Sequence, residues 1–257
     1  MAVDASSVLL LKDDASQVAV FMLERHIDSD FVGGAYVFPG GKVDESDASV
    51  DRWIGISPDV EADRFGCSAE IVVALHVAAV RETFEEAGVL LATRAGEPVE
   101  PEFLQSRSSR EVRIRMASRT EAFDWRPWLA EHDLVLTLDR LSWWSWWVTP
   151  EGLPKRFDTR FFVAEMPMGQ IAQHDGIEAT DARWLVPNEA LEAAAAGEIE
   201  IILPTRRNLV DIGQFPSVEM VLREARGRNP NAIIPSIVPF EGGLAVDHHS
   251  FEGPETV

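Results

Sequence analysis

The chain is nearly devoid of cysteine. Cys67 stands alone among 257 residues, so no disulfide can form within the chain, and a reducing compartment is the expectation. Basic residues are also scarce. The 23 Lys and Arg against 43 Asp and Glu give a formal net charge of −20, which excludes the basic footprint that a nucleic acid polymer requires. Small phosphorylated ligands stay open, because a bound cation inverts the local field. Long apolar runs are missing too. Val8-Leu9-Leu10-Leu11 is short and follows no basic stretch, which argues against a signal peptide or a membrane span. The last residues, Gly253 to Val257, match no common address signal, and low complexity is confined to Ala193–Ala196. A soluble, cytoplasmic protein without a membrane partner is expected. With 46% hydrophobic and 26% charged residues, the composition is that of a globular chain.

What is present has a clear order. Val8 to Leu11 and Gln17 to Arg25 read as strands around a polar turn. Phe31 to Gly41 holds four glycines and Pro39, and reads as a loop with a short strand at Tyr36-Val37-Phe38. Ser46 to Ser68 reads as a long, polar, irregular insertion. Ala69 to Ala87 lacks Gly and Pro and has helical periodicity, with Gly88 at the C-cap, so one long helix is predicted. A charged helix is expected over Glu102 to Arg119 and a short one over Trp128 to His132. Ser142 to Val148, Arg156 to Glu165 and Glu178 to Leu185 read as strands. Helices are expected at Pro187–Ala196, Pro204–Ile212 and Ser217–Ala225. One domain over 1–228 and an arm over 229–257 are the predicted organisation, with the insertion at about 48–68.

The chemistry concentrates in Arg81-Glu82-Thr83-Phe84-Glu85-Glu86-Ala87-Gly88-Val89. Residues three and four apart share a helix face, so Glu82, Glu85 and Glu86 converge. Three carboxylates repel one another unless a cation sits among them, and a hard divalent ion with oxygen ligands suits that donor set. Arg81 lies four residues before Glu85 and can pair with it. Phe38-Pro39-Gly40-Gly41 offers a tight turn whose bare backbone can approach a metal or a phosphate.

These motifs resemble the box of the Nudix hydrolases. The Arg81 to Val89 run matches the second half of that box without a gap, and Gly41 followed after five residues by Asp47 resembles the first half, with Asp in place of the family's Glu. Here 33 residues separate Asp47 from Arg81, whereas the family's usual spacing is seven. That stretch resembles the long-insertion branch that includes the peroxisomal acyl-CoA diphosphatases, as do Val37 to Asp44, Trp147-Val148-Thr149-Pro150 and Arg156 to Phe162.

The resemblance implies an α/β (α+β) Nudix fold, a mixed β-sheet sandwiched between α-helices. It implies a Nudix hydrolase that cleaves a diphosphate linkage with Mg2+ or Mn2+, in CoA or an acyl-CoA. ADP-ribose, NADH or another nucleoside diphosphate derivative are the alternatives. A Nudix-fold nucleotide-binding or regulatory protein with little turnover is the alternative of another class. By the family pattern Glu85 and Glu86 are metal ligands, Glu82 is a ligand or the base, and a carbonyl of Gly40 or Gly41 completes the shell.

Four further features divide between function and structure. Arg156, Asp158 and Arg160 share a strand face and read either as phosphate contacts or as a local ion network. Trp143, Trp144, Trp146 and Trp147 put tryptophan on both faces of one strand, which reads as core or as a homodimer contact rather than a base platform. Glu178 reads as a strand-end group that reaches the metal site or as structural, His174 and Asp175 as loop groups that could approach the substrate, and His76 as a packed residue. Asp47 is weighed as a distant metal contact against a plain loop aspartate.

Overall fold

The computed structural model describes residues 1–26, 34–118, 123–176, 179–240, 243–247 and 255–256. In chain order, β1 (Val3–Asp14) and β2 (Gln17–Arg25) form a hairpin, and the short strands β3 (Tyr36–Val37) and β4 (Gly40–Lys42) follow. A 3-10 turn at Asp47–Ser49 leads to β5 (Trp53–Ile54), α1 (Pro58–Phe65) and the long α2 (Ala69–Ala87). Next come β6 (Ala92–Arg94), β7 (Glu97–Pro98), α3 (Pro101–Leu104), α4 (Arg107–Met116), α5 (Arg126–Glu131) and β8 (Leu134–Thr137). The chain then runs through β9 (Ser142–Val148), β10 (Phe157–Glu165), β11 (Ala179–Leu185), α6 (Pro187–Ala195), α7 (Leu203–Ile212) and α8 (Val218–Gly227). In the tail, β12 (Ala232–Ile233) adds to the edge of the main sheet beside β9, while β13 (Ser236–Phe240), β14 (Gly243–Asp247) and β15 (Glu255–Thr256) pair among themselves.

The main sheet has the order β11-β2-β1-β10-β9-β12, with β3 added to β2 and β4 to β1. It is mixed: β1 runs parallel to β10 and β12 parallel to β9, while β2 and β4 run antiparallel to β1 and β9 antiparallel to β10. Helices cover both faces, as the resemblance implied. The apolar tetrad of β1 explains why. Val8 and Leu10 enter one core with Leu75, Ala79 and Phe84 of α2, and Leu9 and Leu11 enter the other with Leu209, Ile212 and Val221 of α7 and α8. A strand buried on both faces needs apolar residues at every position rather than at alternate ones. Among the described residues no helix is long and apolar enough to cross a membrane.

Two segments differ from the sequence reading. The insertion is packed structure rather than an irregular loop. Its β5 pairs in parallel with β8, and α1 lies on α2. Phe65, at the end of α1, is buried and stacks on Trp143 with ring centroids 4.3 Å apart. The charged helix expected over 102–119 is broken into α3 and α4 at Gln105-Ser106, where the Ser106 hydroxyl accepts from the Ser109 amide and starts a new helix.

The four tryptophans also find a physical reason. Phe161 pairs with Ser145 but Phe162 pairs with Trp143, so Trp144 is the extra residue of a β-bulge. The bulge resets the alternation. Trp143 and Trp146 pack toward the α2 core, and Trp144 and Trp147 toward the α7–α8 core.

His76 is packed, as its place on α2 suggested. It sits between Phe65 and Phe162, and its Nδ1 lies 2.7 Å from the carbonyl of Val72, which makes that nitrogen the donor of a neutral ring. Burial lowers its pKa from 6.5 to about 4. The unfolded chain therefore binds a proton between these values that the folded chain refuses, and stability falls as the pH drops through that window. Denaturant unfolding should show a decline between pH 7 and pH 5 that His76→Met reduces by about 2 kcal/mol. An identical pH slope in the variant would remove His76 as the cause.

Candidate active site

Helix α2 carries the cluster, and its ends are well defined. The Ser68 hydroxyl accepts from the Ile71 amide at the start, and Gly88 adopts φ 70° at the end with its amide donated to the carbonyl of Phe84. Because α2 packs against β1 and β4 of the main sheet, the 3-10 turn at Asp47–Ser49, α1 and α4, its last two turns are buried on most sides. Glu85 and Glu86 are buried and Glu82 is half-buried.

Strand β4 supplies the facing wall. The Gly40 amide donates to Glu86 Oε2 at 2.8 Å. The two glycines are required by space. A Cβ at Gly40 would lie 2.7 Å from Ser7 Cα on β1, and a Cβ at Gly41 would fall into the carboxylate of Glu82. Backbone and carboxylates thus meet without any side chain between them.

Arg81 organises the rest. Its Nε and one terminal nitrogen donate to the two oxygens of Asp47, both at 2.9 Å, and the same terminal nitrogen donates to the carbonyl of Lys42 at 2.8 Å. The other terminal nitrogen reaches Glu82 at 2.8 Å and Glu85 at 3.7 Å. Burial opposes the guanidinium charge, but the carboxylates of Glu82, Asp47 and Asp44 outweigh it and hold the pKa above its ordinary value. Asp47 is fully buried and also accepts from the Asp44 amide at 2.8 Å. The sequence reading favoured a plain loop role for Asp47. The structure makes it the principal partner of Arg81, ahead of the expected Glu85.

The other named residues are placed as follows. The Nε of Arg156 donates to the carbonyls of Thr149 and Pro150, both at 3.1 Å, and so latches the β9–β10 hairpin. Arg160 is buried, pairs with Asp158, donates to the Phe65 carbonyl at 3.2 Å and lies 3.8 Å above the ring of Trp146. Its strand position is opposite Ser6, which is opposite Gly41, so one strand separates it from the glycine wall. His174 and Asp175 lie in a loop tied to the end of α2, because the Gln173 amide donates to the carbonyl of Ala87 and Gln170 pairs with both backbone groups of Leu90. Glu178 lies outside the described residues.

Arg113 on α4 was missed by the sequence reading. Its guanidinium donates to the carbonyl of Glu85 at 3.0 and 3.1 Å, to that of Glu86 at 3.4 Å and to that of Gln173 at 3.2 Å. Nothing in a linear charged helix signals that one of its arginines caps another helix. A cleft of about 410 Å³ opens elsewhere, beside Glu24, Tyr36, Arg183 and Arg206, and shares no residue with the carboxylate cluster.

The donor chemistry of Glu82, Glu85 and Glu86 is all oxygen, which fits a hard divalent cation. Among the described residues no three acidic, histidine or cysteine side chains already meet in ligand geometry. Two of the three carboxylates turn toward Arg81 and the third toward the Gly40 amide. The fit therefore rests on donor type and on the side-chain-free wall at Gly40 and Gly41.

Comparison with known proteins agrees on one family. The family model described as the NUDT19 Nudix domain matches residues 68–210. A protein of Xenopus laevis named acyl-coenzyme A diphosphatase NUDT19 is 30% identical over 246 residues, covering 80% of this chain and 63% of its own. The human protein of the same name is 28% identical, covering 81% of this chain and 64% of its own. The chain thus spans slightly under two thirds of the length of these relatives. The crystal structure of a NUDIX hydrolase from Alicyclobacillus acidocaldarius matches with a TM-score of 0.64 and 25% identity, covering 87% of this chain and 96% of that one.

The buried Arg81–Asp47 pair carries a stability prediction. Removing Asp47 takes two charge-assisted hydrogen bonds from a buried guanidinium that keeps Glu82 as its one close carboxylate, which costs about 3 kcal/mol. Asp47→Ala should lower unfolding stability by about that amount. Asp44, half exposed and 3.7 Å from Arg81, forms a weaker pair, and Asp44→Ala should cost less than about 1 kcal/mol. Equal losses in the two variants would show that Asp47 is not the anchor.

Proposed function

Because the chain belongs to the Nudix hydrolases of the NUDT19 type, we propose that it is a metal-dependent diphosphatase acting on CoA or an acyl-CoA. The observation that carries this reading is the clamp. Asp47 and Arg81 join the two halves of the box and set Glu82, Glu85 and Glu86 against the bare backbone of Gly40 and Gly41. The name of the relatives supports the substrate class.

Glu82, Glu85 and Glu86 would hold the divalent cation, magnesium or manganese, which supplies charge neutralisation on the diphosphate and acidifies water. Arg81 orients Glu82 and Glu85 by pairing with both through one terminal nitrogen. The Gly40 amide holds Glu86 by donating to its Oε2. Gly40 and Gly41 let a phosphate approach the strand closely. Arg156 and Arg160 hold the β9–β10 strands that support this wall. Placement in the cytoplasm and a homodimeric state belong to the same proposal, and gel filtration with and without the tail tests the dimer.

The enzyme test is direct. Full-length protein with Mg2+ or Mn2+ is incubated with CoA, acyl-CoA, ADP-ribose, NADH and nucleoside triphosphates, and the products are resolved by chromatography. CoA or acyl-CoA should be cut to 3′,5′-ADP and a phosphopantetheine, and preference for ADP-ribose would overturn the CoA reading alone. Glu86→Gln keeps an acceptor for the Gly40 amide but loses the charge. It should fold normally and lose activity by at least about 100-fold. Wild-type rates in that variant would place the metal elsewhere.

A further inference from the structure

The end of the cluster-bearing helix is held by a side chain from outside the box. A helix terminates with carbonyls that have no partner of their own, and here those carbonyls belong to the residues that carry the carboxylates. Arg113 meets them from α4. Two of its nitrogens converge on the carbonyl of Glu85, one of the two also reaches that of Glu86, and that same nitrogen reaches Gln173 on the neighbouring loop. The loop is fastened to the helix a second time by the Gln173 amide, bonded to the carbonyl of Ala87 at 2.9 Å. Gly88 leaves room for the guanidinium, since a Cβ there would lie 2.7 Å from an Arg113 nitrogen.

We infer that Arg113 is a positioning residue for the carboxylate cluster: it fixes the last turn of α2, and with it the directions of Glu85 and Glu86, and ties to that turn the loop bearing His174 and Asp175. The inference rests on the diphosphatase reading only in taking Glu85 and Glu86 as metal ligands. Two physical effects act together. The planar fork holds three carbonyls in one fixed geometry, whereas a lysine offers a single rotatable ammonium. Its positive charge also offsets the negative end of the helix dipole beside an acidic cluster.

Groups that orient metal ligands typically change metal affinity or activity by about 10–100-fold when removed, without touching the metal. In the full chain, Arg113→Met should weaken Mn2+ binding, read by the loss of the free-ion electron paramagnetic resonance signal, by about tenfold or more. Arg113→Lys should restore only part of that loss, because it returns the charge but not the fork. Gly88→Ala, which pushes the guanidinium away from the other side, should weaken binding as well. Arg110→Met serves as the control. Arg110 sits on the same helix, donates to the Gln105 carbonyl and should leave binding unchanged.

A merely structural cap would lower the melting temperature and leave Mn2+ affinity intact well below it. Affinity within twofold of wild type in Arg113→Met overturns the inference. If that variant does not fold, wild-type affinity in both Arg113→Lys and Gly88→Ala overturns it instead. The outcome for the function is separate. Wild type that binds Mn2+ but cleaves no substrate in the panel removes the diphosphatase reading and leaves the Arg113 effect measurable. Wild type that binds no Mn2+ overturns both.

Discussion

The buried ion pair between Asp47 and Arg81 is the constraint on which the site depends. It joins the turn after β4 to the body of α2, and those two elements provide the glycine wall and the carboxylates respectively. A charge pair that is this buried is costly to desolvate, and it persists because every guanidinium nitrogen finds an acceptor. Arg81 gives its fork to Asp47, its remaining reach to the Lys42 carbonyl and to Glu82, and Asp47 gains the Asp44 amide in addition. The pair does not so much stabilise the fold as select one register between strand and helix. If α2 slid by one residue, the carboxylates would leave the glycines and the guanidinium would lose its match.

The long spacing between the two halves of the box looks like an obstacle to that pair, but polymer physics makes it a small one. Loop-closure cost grows with the logarithm of length, so going from seven to 33 intervening residues adds only about 1 kcal/mol. The insertion also contributes packing of its own. Phe65 is buried against Trp143, Phe162 and His76, α1 packs on α2, and β5 pairs with β8 in the small sheet. The extra residues therefore form part of the casing around the helix rather than a tether across it.

Much of this was legible from the residues. The uninterrupted helix to Ala87 with Gly88 as its stop, the strand at Val8 to Leu11 and the convergence of Glu82, Glu85 and Glu86 all follow from short-range rules of spacing and capping. What could not be read are relations between distant positions. Asp47 has its meaning only because Arg81 lies beside it, and a loop aspartate 34 positions away looks the same in sequence whether it is buried or solvated. The period of two in Arg156, Asp158 and Arg160 put Asp158 and Arg160 on one strand, with Arg156 just before its start, but periodicity does not tell which neighbours that face meets. Arg160 found Asp158 and the Trp146 ring, and Arg156 found the carbonyls of its own hairpin. Ser106 illustrates the same limit at shorter range, since a hydroxyl can lie inside a helix or start one, and here it starts one.

The two arginines around α2 show why the type of cation matters as much as its sign. In a chain with a net charge of −20, an acidic helix end would gain from any positive group, and a lysine would serve for charge alone. Arg81 and Arg113 do something that a point charge cannot. Each presents several fixed donors in a plane, Arg81 to two carboxylates and a carbonyl, Arg113 to three carbonyls on two segments. One therefore fixes the side chains of the cluster and the other fixes the backbone from which those side chains spring. Because the two guanidiniums act at different levels, neither makes the other redundant. A cluster of carboxylates that must stay apart from one another, yet point the same way, needs both.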